Sequence, residues 1–136
     1  MVKEKKEGKL KDNNKDNQVK VIYGKENLQE IITNILEEKF NEIIKGDQLT
    51  LVDFYATWCG PCKMMHPVLE QLKHDLGDNI RILKLDVDKT EALAMQYRIQ
   101  SVPTLMLFRG GENIWRQSGA MRLDELKDVI KKYSNI

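Results

Sequence analysis

Cys59 and Cys62 are the only cysteines in the 136-residue chain, and two residues separate them. They end a nearly all-apolar run, Leu51-Val52-Asp53-Phe54-Tyr55-Ala56-Thr57-Trp58. Placed at i and i+3 at the start of a helix, they share one face and can close a small disulfide ring. Cys59 then falls at a helix N-terminus, where unpaired N–H groups and the macrodipole favour a thiolate. The thiolate is the nucleophile of disulfide exchange, so Cys59 is the expected attacker and Cys62 the resolving thiol. Pro61 fits a first helical turn, where its missing N–H costs no bond. Two other readings stand beside this one: a pair of core cysteines, or half of a zinc site. Zinc takes four ligands, and the chain holds no second cysteine pair. His66, four residues after Cys62, still leaves such a set one ligand short.

Asp53 is the second anomaly. A charged, unpaired carboxylate in the middle of an apolar strand costs several kcal/mol, and desolvation raises its pKa. Its functional reading is a proton acceptor for the buried thiol of Cys62. Its structural reading is a hydrogen-bond partner at a strand end. Lys84 interrupts Ile82, Leu83 and Leu85 in the same way. It pairs with Asp53 if their strands are neighbours, and is otherwise an edge charge. Trp58 either covers the cysteines or packs beside them. A cis bond before Pro103 has a prior of about 5–6% for any X–Pro bond. His66 and His74 read as solvated helix residues. Lys127, Lys131 and Lys132 suit the negative end of a helix dipole.

The elements that must position these residues follow from punctuation and periodicity. Residues 1–20 carry seven lysines and four acids, with only Met1, Val2, Leu10 and Val19 apolar. Such a tract buries too little surface to offset its ordering entropy, so it is expected to be disordered. A basic arm for an acidic partner or membrane surface is the alternative, diluted by the four acids. Val21-Ile22-Tyr23 is a short β-like patch. From Leu28 to Ile44 the apolar residues fit one long amphipathic helix, or a strand over Glu30–Leu36 followed by a helix over Glu37–Lys45. Leu49–Tyr55 is the predicted central strand and Cys59–Leu76 a helix interrupted by Pro67, which should kink it. Strand Ile80–Asp88, helix Thr90–Tyr97 and strand Thr104–Phe108 follow. Gly110-Gly111 predicts a tight hairpin into a strand over Glu112–Ser118, and Leu123–Tyr133 closes the chain as a helix. Strands alternating with helices and ending in a hairpin predict an α/β fold around a mixed sheet.

Composition narrows the function classes. Net charge is +1, which gives no general case for nucleic acid. A secreted disulfide scaffold would carry more cysteines, spread wider. No apolar run approaches the ~20 residues of a membrane span. The N-terminus is charged from its third residue, so no signal-peptide core is expected.

The run Val52-Asp53-Phe54-Tyr55-Ala56-Thr57-Trp58-Cys59-Gly60-Pro61-Cys62-Lys63 resembles the active-site signature of the thioredoxin family. Pro67 falls where that family kinks its active-site helix. Val102-Pro103-Thr104 is similar to its cis-proline strand, and Gly110-Gly111 and Ser118-Gly119-Ala120 to its hairpin turn and later glycine. These motifs keep the family's order and spacing across roughly residues 30–136. The resemblance implies a thioredoxin fold, a mixed central β-sheet with helices on both faces, over residues 29–136. Residues 1–28 then form a polar, disordered extension. It implies a protein-disulfide reductase with Cys59 as attacking thiolate and Cys62 as resolving thiol. Asp53 would be the buried general base and Lys84 its partner. Trp58, Gly60, Pro61, Val102, a cis-Pro103, Gly119 and Ala120 would form the docking surface for a substrate's main chain. It further implies no bound cofactor beyond a redox-active Cys59–Cys62 disulfide, and electrons from NADPH through thioredoxin reductase. The expected partners are that reductase and disulfide-containing target proteins, and the expected state is a cytoplasmic monomer. The resemblance favours the strand over Glu30–Leu36. Tyr55 departs from it, standing where a second tryptophan is common. The alternative activities are a thiol–disulfide oxidase, an isomerase or a dedicated reductase of the cell envelope, if the chain is exported. A scaffold using the fold only for docking is the non-enzymatic alternative.

Overall fold

The computed structural model describes residues 20–23 and 30–134. In chain order the elements are β1 (Lys20–Tyr23), β2 (Glu30–Thr33), α1 (Glu37–Ile44), β3 (Thr50–Tyr55) and α2 (Gly60–Leu76). A 3-10 turn (Gly77–Asn79) leads to β4 (Arg81–Asp86), α3 (Glu91–Gln96), β5 (Thr104–Arg109), β6 (Glu112–Ser118) and α4 (Leu123–Ser134). The strands form one six-stranded sheet in the order β1-β2-β4-β3-β5-β6. β2, β4 and β3 run parallel, while β1, β5 and β6 pair antiparallel to their neighbours. This is the mixed α/β sheet predicted, and helices cover both of its faces.

β3 lies between β4 and β5 and is covered above and below, which is why its sequence is almost continuously apolar. Alternation divides its side chains. Leu51 packs on one side with Met65, Leu69 and Leu72 of α2 and Leu126 and Ile130 of α4. Val52 and Phe54 pack on the other with Phe40 and Ile44 of α1 and Leu93 of α3. Each such fully buried side chain contributes about 1.5–3 kcal/mol. Asp53 shares the Leu51 side, and so points towards the face that α2 covers.

Between the two readings of the Leu28–Ile44 segment, the structure selects strand then helix. β2 ends at Thr33, short of the predicted Leu36, because Asn34 turns to a φ of 51°. Leu36 is extended (φ −74°, ψ 157°) and starts α1. The predicted extension needs correction at Lys20–Tyr23. These residues form β1, with Lys20 opposite Thr33 and Tyr23 opposite Glu30. β2 would otherwise present an unpaired edge, and the β-branched and aromatic Val21-Ile22-Tyr23 suits pairing with it. The rest of the predicted disordered segment, 1–19 and 24–28, lies outside the described residues. The hairpin between β5 and β6 turns on Gly110 (φ 63°) and Gly111 (φ 84°), a left-handed pair that side chains would strain. Their N–H groups donate to the carbonyls of Gly46 (2.9 Å) and Ile44 (2.7 Å), docking the hairpin on the end of α1.

Candidate active site

β3 delivers the cysteines through a short turn in which the Cys59 N–H donates to the Ala56 carbonyl at 3.2 Å. Cys59 is extended (φ −95°, ψ 120°) and caps α2: its Sγ accepts the Cys62 N–H at 3.1 Å. A sulfur at that point meets one of the orphan donors of a helix start, the environment that stabilises a thiolate. Cys59 and Cys62 are joined as a disulfide, with Cα atoms 5.3 Å apart. Both are buried, in a small cluster with Ala56 flanked by Tyr55, Val87 and Val102. Pro61 occupies the first turn of α2 as expected, and Pro67 lies inside the helix.

Two further segments reach the disulfide. The Val102 carbonyl oxygen lies 3.7 Å from Cys59 Sγ, and the Val102–Pro103 peptide is cis. Gly119 sits beside them at a φ of 99°, donating its N–H to the Pro103 carbonyl at 2.7 Å. Pro103 is buried and Val102 half-buried, while Gly60, Pro61, Gly119 and Ala120 are exposed. Trp58 is 70% exposed, which decides against simple packing. Its indole N–H donates to Asp88 Oδ2 at 3.0 Å, so the ring is held over the surface by its polar edge.

Behind the cysteines, Asp53 and Lys84 stand directly opposite one another on adjacent parallel strands. β4 is interior to the sheet, which excludes Lys84 as an edge charge. Asp53 is fully buried, and neither carboxylate oxygen has a hydrogen-bond partner among the described residues. Desolvation pushes its pKa up to about 7, against the opposing pull of the Lys84 charge. The Lys84 ammonium lies 5.2 Å from the centre of the Tyr55 ring and contacts Nδ1 of His66. Burial pushes Lys84 down, opposed by the charges of Asp53 and Glu70. The expected pair is thus neighbouring in register but makes no ion pair within 4.0 Å among the described residues.

Three residues at the site were not anticipated from the sequence. His66, read as a solvated helix residue, reaches across to Lys84. Its i+4 relation to Glu70 is legible on a helix, but its contact with β4 is not. Asp88 anchors Trp58 from the loop after β4. Arg116 on β6 donates to the carbonyls of Tyr97 (2.6 Å) and Arg98 (2.9 Å), upstream of the Val102–Pro103 segment. Among the described residues, no group of three or more His, Cys, Asp or Glu side chains is placed to hold a metal ion. No helix among them is long and apolar enough to cross a membrane.

Comparison with known proteins agrees with this geometry. The thioredoxin family model matches residues 31–132. The chain is 49% identical over 95 residues to a thioredoxin-like protein of Synechocystis, spanning 69% of this chain and 90% of that protein. It is 41% identical over 102 residues to a thioredoxin of Staphylococcus saprophyticus, spanning 75% of this chain and 97% of that protein. Among solved structures, a thioredoxin of Malassezia sympodialis superposes with a TM-score of 0.69 at 34% identity, covering 75% of this chain and 89% of that one. With a Cys59–Cys62 disulfide at the start of α2, the chain belongs to the thioredoxin family and is a thiol–disulfide oxidoreductase.

Proposed function

We propose that the protein is a general reductant of protein disulfides in which Cys59 attacks, Cys62 resolves and Asp53 takes the proton of Cys62. The observation that carries this reading is the Cys59–Cys62 disulfide capping α2, with a buried carboxylate that has no hydrogen-bond partner among the described residues on the same side of the sheet. In the reduced dithiol, the Cys59 thiolate attacks one sulfur of a target disulfide. A mixed disulfide forms and the target's other sulfur leaves as a thiolate. The Cys62 thiol gives its proton to Asp53, and the resulting thiolate attacks Cys59 Sγ. The target's second sulfur departs, two electrons have passed to the target, and Cys59–Cys62 is oxidised. A carboxyl with a pKa of about 7 suits this exchange, since it both accepts and returns a proton near neutral pH.

The surface around Trp58, Gly60, Pro61, Val102, Pro103, Gly119 and Ala120 would receive the target's main chain, with the Val102 backbone as its hydrogen-bonding edge. Lys84 would act as a charge beside Asp53, easing its ionisation. Re-reduction of the disulfide would draw on NADPH through thioredoxin reductase. Disulfide-containing proteins would be the targets, met by a monomer in the cytoplasm, as the kinship to bacterial proteins called thioredoxin suggests.

The test is reduction of an exposed protein disulfide by the reduced protein. Cys59→Ser should abolish turnover, and Cys62→Ser should accumulate the mixed disulfide with the target on Cys59. Turnover surviving Cys59→Ser would overturn the assignment.

A further inference from the structure

The Lys84 ammonium has the Asp53 carboxyl directly opposite it in register, yet it is engaged elsewhere. On β3 it faces the Tyr55 ring and Asp53; on α2 it faces His66 and Glu70. Its register partner on β2, Thr33, is neither charged nor titratable. An ammonium only donates hydrogen bonds, so the His66 Nδ1 that it contacts must accept. The other ring nitrogen, Nε2, lies 3.2 Å from Glu70 Oε2, within ion-pair distance. A carboxylate beside Nε2 favours the tautomer with its proton there, which leaves Nδ1 as the acceptor, and the series Glu70, His66, Lys84 runs from solvent to the strand. Ring and carboxylate are one helical turn apart on α2, so the helix sets their spacing.

We propose that His66 is a positioning residue: its imidazole, tethered by Glu70, holds the Lys84 ammonium on the α2 side and off the Asp53 carboxyl. The carboxyl is thereby left as an unpaired acid rather than as half of a buried ion pair. Through Lys84, His66 thus controls how much positive charge Asp53 meets. Its effect on turnover rests on the proposed role of Asp53 as proton acceptor; its effect on Asp53 does not.

The experiment is a carbon-13 titration of the Asp53 carboxyl in the oxidised full-length protein, assigned with Asp53→Asn. His66 is half exposed, so His66→Ala leaves the core intact. Without the imidazole the ammonium turns to the carboxylate opposite it. The Asp53 midpoint should fall by about one pH unit, the low end of what a close opposite charge does. In a Lys84→Met background, His66→Ala should leave the midpoint where Lys84→Met alone puts it. An unmoved midpoint in His66→Ala, or an equal shift without Lys84, would overturn the proposal. The resolution rate of the mixed disulfide, measured beside it, separates the two claims. A midpoint that falls while the pH profile of resolution stays fixed sustains the positioning by His66 and removes Asp53 from the proton transfer.

Discussion

Asp53 and Lys84 face each other across β3 and β4, and the carboxylate finds no hydrogen-bond partner among the described residues while the ammonium leans on Tyr55 and His66. A pair arranged for stability would close that gap. Breaking a buried pair costs about 3–5 kcal/mol, and leaving a carboxylate alone incurs a penalty of the same kind. The fold tolerates it because the acid form carries no charge, and because the surrounding apolar clusters hold the strands in place.

That penalty predicts a pH-dependent stability. Asp53 has a folded pKa of about 7 against an ordinary 3.8, so the native state binds the proton more tightly. The contribution of Asp53 to stability is therefore full below about pH 4, is lost as pH rises through 7, and is absent above it. Replacing Asp53 with Asn should remove this dependence. Denaturant unfolding at pH 8 should show Asp53→Asn gaining up to roughly 4 kcal/mol over the parent, a gain that vanishes towards pH 4. In the same variant, resolution of the mixed disulfide at pH 7 should slow about a hundredfold while its formation is unchanged. Equal stability of the two proteins at pH 8 would contradict a raised Asp53 pKa.

The misfit of Asp53 was legible in the sequence because burial and charge conflict visibly in an apolar run. So was the cysteine pair, since a helix start and a three-residue spacing are local properties. Lys84 was legible as an anomaly, and its neighbour followed once β3 and β4 were adjacent. Its actual contact was not, because reaching His66 depends on how α2 crosses the sheet, a distance that spacing along the chain does not encode. The same holds for Asp88, Arg116 and the sulfur-to-carbonyl approach of Cys59 and Val102. β1 shows a second kind of limit. The β-like character of Val21-Ile22-Tyr23 was legible, but its partner was not: a short patch beside a polar tract can add to a sheet edge that is already formed, so the extension drawn as disordered over residues 1–28 included a strand at Lys20–Tyr23.

Gly119 predicts a backbone effect separable from packing. A Cβ at this position meets nothing within 4 Å, so the cost of a side chain comes from its φ of 99° alone. Gly119→Ala should lose about 1–2 kcal/mol of stability. Its N–H holds the Pro103 carbonyl at 2.7 Å, so the strain is released next to the proposed docking edge. KM for a protein disulfide should rise, while the rate with a small disulfide that needs no main-chain docking should hold. Equal losses for both substrates would count against a docking role for this edge.

Arg116 offers the most distant handle on the site. Its guanidinium spans two successive carbonyls, Tyr97 and Arg98, at 2.6 and 2.9 Å. Arg98 itself has a φ of 53°, a left-handed conformation that a side-chain-bearing residue adopts only when its surroundings hold it there. From this point the chain runs to Val102 and Pro103. Arg116→Ala removes both donors and should cost about 1 kcal/mol, discounted because the side chain is exposed. Arg116→Lys keeps the charge but not the planar fork, so it cannot bridge both carbonyls and should recover less than half of the loss. Amide exchange from Arg98 to Val102 should quicken in both variants, and KM for protein substrates should rise with kcat nearly unchanged. The reacting sulfurs and Asp53 are untouched by the substitution, so a fall in kcat with KM constant would mean that Arg116 does not act through the placement of the Val102 edge.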